Sequence, residues 1–398
     1  MTSLDKQVLK ADPSKQLDVE QAVRDRYSAA SQQAESALCC PVDYQPQFLD
    51  VLPAELIERD YGCGDPSRYV YPGETVLDLG SGGGKICYIA AQVVGESGKV
   101  IGVDMNDDML ALARKYQQPI GNKLGFHNVQ FHKARIQDLA LDVEKFEQYL
   151  QAHPVSSSDQ WWATQAEADG WRREQPMIAN DSIDVIVSNC VLNLVTTADR
   201  QQLFSEMMRV LRRGGRAIIS DIVSDEPVPD RLKRDATLWS GCISGAFVED
   251  ELLAAFSQAG FYGMEMVARQ EEPWTVLEGI EFRSVTIRAF KGKEGPCLDH
   301  HQAVIYRGPW KSVQDDDGHT LRRGERTAVC GKTFDIYTRA PYTDHVIPVP
   351  PYSEVSVEEA KPLDCRRNEV RPPQKTKGLD YQLTTLPNPN SCCDTDCC

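Results

Sequence analysis

A doubly wound α/β sheet that holds a nucleoside-type ligand along its carboxyl edge is the fold class this sequence predicts. Three observations predict it. Val76-Leu77-Asp78-Leu79 is a short apolar run followed at once by the glycine turn Gly80-Ser81-Gly82-Gly83-Gly84. Lys85 through Val94 then reads as a helix stopped by Gly95. A second apolar strand, Val100-Ile101-Gly102-Val103-Asp104, ends in an acid 20 residues after Gly84. Strand, glycine turn and helix in immediate succession mark the nucleotide end of such a sheet, and an acid closing the second strand can accept hydrogen bonds from ribose hydroxyls.

Before the first strand, residues 16–36 are polar with helical spacing and predict an N-terminal cap helix. Cys39-Cys40-Pro41 follows, where the proline discourages helix. Residues 46–58 read as a further helix, and Tyr61-Gly62-Cys63-Gly64 reads as a mobile loop because glycines flank the cysteine. At the turn itself the glycines are bunched rather than spaced as G-x-G-x-x-G, so nothing calls for a dinucleotide pyrophosphate. Asp78 would repel a phosphate and attract an ammonium. An adenosine ligand with a cationic tail fits better than NAD, which points to S-adenosylmethionine (SAM).

Asn106 is a fair N-cap for a helix through about Tyr116. Val129-Gln130-Phe131-His132-Lys133-Ala134 is the third strand, and Arg135-Ile136-Gln137-Asp138 is the turn expected to hold an adenine ring. The expected cofactor contacts are therefore Asp78, Gly80, Ser81, Gly82, Asp104, Met105, Ile136 and Gln137, with Asn189 at the end of the fourth strand. Residues 139–180 exceed what a crossover needs and predict a helical insertion. The fourth strand is Ser182-Ile183-Asp184-Val185-Ile186-Val187-Ser188. A helix from about Ala198 to Arg212 places Leu203, Phe204, Met207, Val210 and Leu211 on one face. Arg216 to Val223 is the fifth strand, a helix follows at about 249–258, and strands at 264–269 and 281–290 close the sheet. Residues 297–340 alternate like strands, including Thr333-Phe334-Asp335-Ile336-Tyr337, and predict a small β module. Nine prolines after residue 340 predict an extended, largely disordered tail. The expected division is 1–68, 69–223, 224–292, 293–345 and 346–398.

The net charge of −16 disfavours a phosphate-backbone partner, so no nucleic acid is expected. No run approaches the ~18–20 apolar residues of a membrane span, and no leader-like stretch opens the chain, so no membrane partner and a cytoplasmic location are expected. A monomer is also expected. Thirteen cysteines in a large acidic chain point to reactive or metal-binding thiols rather than a disulfide framework.

By topology Cys63, Cys190 and Cys242 each lie at the sheet's carboxyl edge or in a segment able to cover it. Their separations match no zinc ribbon or knuckle. On spacing alone they read rather as three small buried hydrophobes. Their local sequences speak otherwise. Tyr61-Gly62-Cys63-Gly64, Ser188-Asn189-Cys190-Val191-Leu192-Asn193-Leu194 and Leu238-Trp239-Ser240-Gly241-Cys242-Ile243-Ser244-Gly245-Ala246 closely resemble the cysteine segments of the arsenite SAM methyltransferases. Asp78-Leu79-Gly80-Ser81-Gly82 and Phe282-Arg283-Ser284-Val285-Thr286 resemble that family too, over roughly residues 20–291.

The resemblance implies a Rossmann-like class I methyltransferase sheet, As(III) bound by Cys63, Cys190 and Cys242, and arsenite and methylarsenite as substrates. It also implies a disulfide between Cys63 and an upstream cysteine, Cys39 or Cys40, reopened by a thiol reductant such as thioredoxin or glutathione. Three soft thiolates suit a soft trivalent centre and leave zinc's tetrahedral set incomplete. The alternatives are a methyltransferase of a small organic molecule with incidental cysteines, and a protein that only sequesters arsenic. Cys87 is expected to serve packing. Cys297, Cys330 and Cys365 are expected to be incidental, with Cys297 and Cys330 flanking one face of the β module. His300-His301 is expected in a solvated loop. The terminal Cys392-Cys393 and Cys397-Cys398 either capture As(III) or belong to a plain tail.

Overall fold

Successive residues of the first strand, β1 (Thr75–Leu79), face opposite ways: Val76 joins one apolar cluster, while Leu77 and Leu79 join another. Val185, Ile186 and Val187 in the fourth strand and Ala217, Ile218 and Ile219 in the fifth alternate in the same manner. A strand apolar on both faces needs a layer on each side, which is the doubly wound arrangement. The computed structural model describes residues 18–35, 38, 42–59 and 61–378. The chain forms two units, Met1–Gly292 and Lys293–Cys398.

In the first unit, β1 is followed by α-helix Lys85–Val94, strand β2 (Lys99–Asp104), helix Asp107–Lys115 and β3 (Val129–Lys133). After the insertion come β4 (Ile183–Asn189), helix Arg200–Val210, β5 (Leu211–Ser224), helix Glu249–Gln258, β6 (Tyr262–Arg269) and β7 (Ile280–Phe290). The strand order is β3-β2-β1-β4-β5-β7-β6. β1 to β5 run parallel, and β7 is antiparallel to both β5 and β6. The order reverses between β1 and β4, so a crevice opens beyond their carboxyl ends.

Local signals account for the elements. Gly84 (φ 87°) and Gly95 (φ 71°) bracket helix Lys85–Val94. The Asn106 side chain accepts from the amides of Asp108 and Met109, capping the next helix. The N-terminal helix α1 (Val19–Gln32) is capped by Asp18. Residues 139–180 form two helices, Val143–Ala152 and Ser158–Glu174, joined through Trp171, whose ring meets Phe146 and Tyr149 edge-on. Among the described residues, no helix is long and apolar enough to cross a membrane.

Three expectations need correcting. Residues 46–58 form two short helices, Pro46–Leu49 and Ala54–Glu58, because Pro53 cannot continue the first. In the second unit, Thr333 to Tyr337 lie in helix Gly331–Tyr337 rather than in a strand: Cys330 accepts from the Thr333 amide at its start, and Thr333, Ile336 and Tyr337 share its buried face. The chain from 341 to 378 is not an extended tail. Strand Val346–Val349 pairs with Ala303–Tyr306, and Lys361–Pro362 pairs with Leu298–Asp299. Its prolines are tolerated because Val346–Val349 is the edge of a three-stranded sheet, with Ala303–Tyr306 at the centre and Arg326–Ala328 on the other side. Arg371 is fully buried and paired with Asp299 at 2.7 Å. The boundary expected at 345/346 therefore cuts through a folded unit. Cys39, Cys40 and the terminal cysteine pairs lie outside the described residues.

Candidate functional site

The crevice at the β1/β4 switch is a cleft of about 1050 Å³, open to solvent. Asp78, Gly80, Ser81, Gly82, Asp104, Met105, Ile136, Gln137 and Asn189 all line it. The backbone is shaped for close approach: Gly80 and Gly82 have φ of 70° and 50°, and a Cβ on Gly82 would meet nothing within 4 Å. The Ser81 hydroxyl is buried there with no hydrogen-bond partner, a polar atom left for a ligand. Asp104 accepts from the amides of Gly82 and Asn106, both at 2.8 Å, which orients its carboxylate at the cleft wall. Burial raises its pKa against those hydrogen bonds. The thiol of Cys87 donates to Asp78 at 3.2 Å, so this cysteine does more than pack. An apolar wall, a carboxylate and the unpaired Ser81 hydroxyl fit an adenosine sulfonium.

One side of the cleft is closed by Cys190, which follows β4 directly. Cys63, Cys190 and Cys242 are all buried, in one apolar group with Ile222, Val228, Leu232, Ile243, Ile280 and Phe282. The sulfurs of Cys63 and Cys190 and a carboxylate oxygen of Asp221 lie within 4.8 Å of one another. The Cys242 thiol donates to the Cys190 carbonyl at 3.2 Å. Cys190 and Cys242 both sit in left-handed backbone, φ 64° and 62°, which is unfavourable for residues with a Cβ. Hydrogen bonds that the Cys190 thiol donates to Cys242 and Cys63 hold it well above its usual pKa, and burial adds to this. Burial also raises Cys63. The Cys63 and Cys190 thiols are therefore neutral without a guest.

Each cysteine is held by a different element. Asn189 Oδ1 accepts from the amides of Cys63 (2.9 Å) and Gly64 (3.1 Å), and its Nδ2 donates to the Gly64 carbonyl at 2.8 Å. Its amide group is thus committed to the Cys63 loop, although the residue also borders the cleft. The glycines beside Cys63 serve contact, not mobility. A Cβ on Gly62 would fall 2.2 Å from Asn189 Nδ2, and one on Gly64 2.5 Å from Ser220 Oγ. The Ser284 hydroxyl donates to the Cys63 carbonyl. Cys242 follows the short helix Ala236–Ser240, which Asp235 caps. Arg26 of α1 binds the Thr237 carbonyl at 2.7 Å, and Tyr27, half-buried beside Cys242, also lines the cleft.

Asp221 was not singled out from sequence. Its signal is an acid inside the apolar run Ala217-Ile218-Ile219-Ser220-Asp221-Ile222-Val223. It is fully buried, accepts from Asn193 Nδ2 and the Ile222 amide at 2.8 Å, and burial pushes its pKa to about 7.

With this geometry the comparisons with known proteins agree. Residues 71–154 and 167–269 match the family model described as "Methyltransferase domain", and residues 293–381 match "Domain of unknown function (DUF8838)". The arsenite methyltransferase of Aquipseudomonas alcaligenes is 31% identical over 333 residues, spanning 79% of this chain and 85% of the relative. The chain belongs to the arsenite methyltransferase family. The arsenite methyltransferase of Homo sapiens is also 31% identical, over 71% of this chain and 68% of that protein. A crystal structure of the arsenic(III) S-adenosylmethionine methyltransferase from Chlamydomonas reinhardtii superposes with a TM-score of 0.53 at 26% identity, covering 78% of this chain and 96% of that one. As an arsenite methyltransferase family member the chain is an enzyme, a methyl-group transferase.

Proposed function

We propose that this enzyme transfers methyl groups from SAM to trivalent arsenic held by Cys63, Cys190 and Cys242, carrying arsenite to methylarsenite and dimethylated product in arsenic detoxification. The observation that carries the reading is the position of Cys190, which borders both the cleft and the thiol group.

The binding step needs no base. As(OH)3 and three thiols give As(SR)3 and three waters, each thiol proton leaving on a displaced oxygen. The neutral, buried thiols of Cys63 and Cys190 are the correct starting state for that exchange. Arsenic bound by three sulfurs would carry its lone pair on the side away from them. When bound, SAM supplies an electrophilic sulfonium methyl. The chain's own contribution is position: Asn189 and Ser284 hold the Cys63 loop, Cys190 and Cys242 sit on left-handed turns, Cys190 borders the cleft, and orientation of this kind lowers a barrier by up to ~7–11 kcal/mol.

Methylation raises arsenic formally to the pentavalent state. Two thiols return it to trivalent by giving up two electrons and closing a disulfide, with Cys63 and either Cys39 or Cys40 as the pair. Thioredoxin or glutathione then reopens it. The test is arsenic speciation after incubation with arsenite, SAM and a thiol reductant. Methylated arsenicals should form with wild type and be absent with Cys190→Ser or Cys242→Ser. Turnover insensitive to all three cysteine changes would instead mark an organic substrate.

A further inference from the structure

The second unit carries its own three-thiol group. Cys297 precedes strand Leu298–Asp299, Cys330 opens helix Gly331–Tyr337, and Cys365 begins the single turn Cys365–Arg367. These positions are far apart in sequence, yet their three sulfurs lie within 4.8 Å of one another. Cys330 is fully buried and the other two are half-buried. The convergence is built. The Leu363 amide donates to the Cys297 carbonyl at 2.9 Å, and strand Lys361–Pro362 pairs with Leu298–Asp299. Arg371, wholly buried, clamps the 365–375 segment to Asp299 at 2.7 and 3.1 Å and to the Gln302 carbonyl at 3.1 Å. The Ala328 amide, two residues before Cys330, donates to the Glu369 carbonyl at 2.8 Å.

We propose that Cys297, Cys330 and Cys365 form a second site for trivalent arsenic, separate in sequence from the methylating cysteines. Three sulfurs complete the coordination of a trivalent pnictogen. A structural zinc takes a fourth ligand, and among the described residues no fourth His, Cys, Asp or Glu donor joins this group within 4.8 Å. Charge points the same way. As(OH)3 with three thiols gives a neutral As(SR)3 and three waters, whereas three thiolates on a divalent ion leave a net negative charge that a half-buried site must offset. The site's ligand is chosen by its sulfur count, and it stands whether or not the first unit methylates arsenic.

The test uses the full-length chain in a phosphine reductant, dialysed against sodium arsenite, with arsenic per chain measured by elemental analysis. Cys297→Ser and Cys365→Ser should each remove one tightly bound arsenic per chain or weaken it at least tenfold, with the unfolding midpoint little changed because both positions are half-buried. Cys330→Ser should do the same, and its fold is checked separately because that position is fully buried. In the Cys190→Ser/Cys242→Ser background methylation should stop while this arsenic remains, and X-ray absorption should count three sulfurs around it. The proposal is overturned if arsenic content is unchanged by Cys297→Ser and Cys365→Ser. It is equally overturned if purified protein holds zinc here that arsenite does not displace, or if the reduced thiols bind nothing. Arsenic retained here by a wild type that makes no methylated product would reject the proposed function and leave this site standing.

Discussion

At the scale of single residues, Asn189 and Asp221 do work that their neighbours in sequence do not advertise. Asn189→Ala strands the buried amide of Cys63, at a cost of about 1–3 kcal/mol, and removes the partner of the half-buried Gly64 amide. Chemical denaturation should therefore show a loss of a few kcal/mol, and arsenite titration a weaker first site. Cys63→Ser should chiefly block the first methylation, since methylarsenite has one fewer exchangeable position; speciation started from methylarsenite instead of arsenite separates the two stages. Asp221 supplies a pH signature. Its folded pKa of about 7 lies above the ordinary carboxylate value, so between roughly pH 4 and 7 the folded chain keeps a proton that the unfolded chain has released. Stability from this residue is greatest at low pH and declines as pH rises through that window, by up to roughly 4 kcal/mol. Asp221→Asn should match wild type near pH 4 and exceed it near pH 8 in urea midpoints. An identical pH dependence of the two proteins would remove Asp221 from this role.

Among the elements, α1 reaches from the cleft to the helix before Cys242. Arg26 bonds the Thr237 carbonyl and the Ser240 hydroxyl (3.2 Å) and pairs with Glu35, while Tyr27 stands between the cleft and Cys242. Arg26→Ala removes charged hydrogen bonds worth about 1.5–3 kcal/mol. It should raise the KM for SAM by up to about tenfold, with a smaller effect on kcat, in steady-state kinetics. The central strands were legible because they are apolar on both faces, and the first two helices after β1 and β2 because of a glycine stop and an Asn106 cap. Helix Gly331–Tyr337 was not, because Thr, Phe, Ile and Tyr favour strands on local propensity and only packing of Thr333, Ile336 and Tyr337 reverses that. The Cys63 loop misled for a similar reason. Glycine signals freedom in sequence, but here the missing Cβ makes room for Asn189 and Ser220.

For the molecule as a whole, the donor turn and the three cysteine contexts could be read from short stretches, since each is carried by contiguous residues. Contacts that join distant segments could not: Asp221 beside two sulfurs, Cys365 beside Cys297, and a proline-rich stretch folded around Arg371. That arginine also tests the second unit. Arg371→Ala leaves the Asp299 carboxylate buried with a half-exposed Lys375 as its remaining cation. Breaking a buried pair costs about 3–5 kcal/mol, so hydrogen exchange across residues 293–378 should accelerate.

The bent-back main chain at Cys190 and Cys242 carries a trade-off for anyone re-engineering this scaffold. Glycine at either site relaxes a conformation that a side chain resists by about 1–2 kcal/mol. A thiol-free derivative thus recovers part of the packing it forfeits. Heat tolerance and chemistry compete at these two turns.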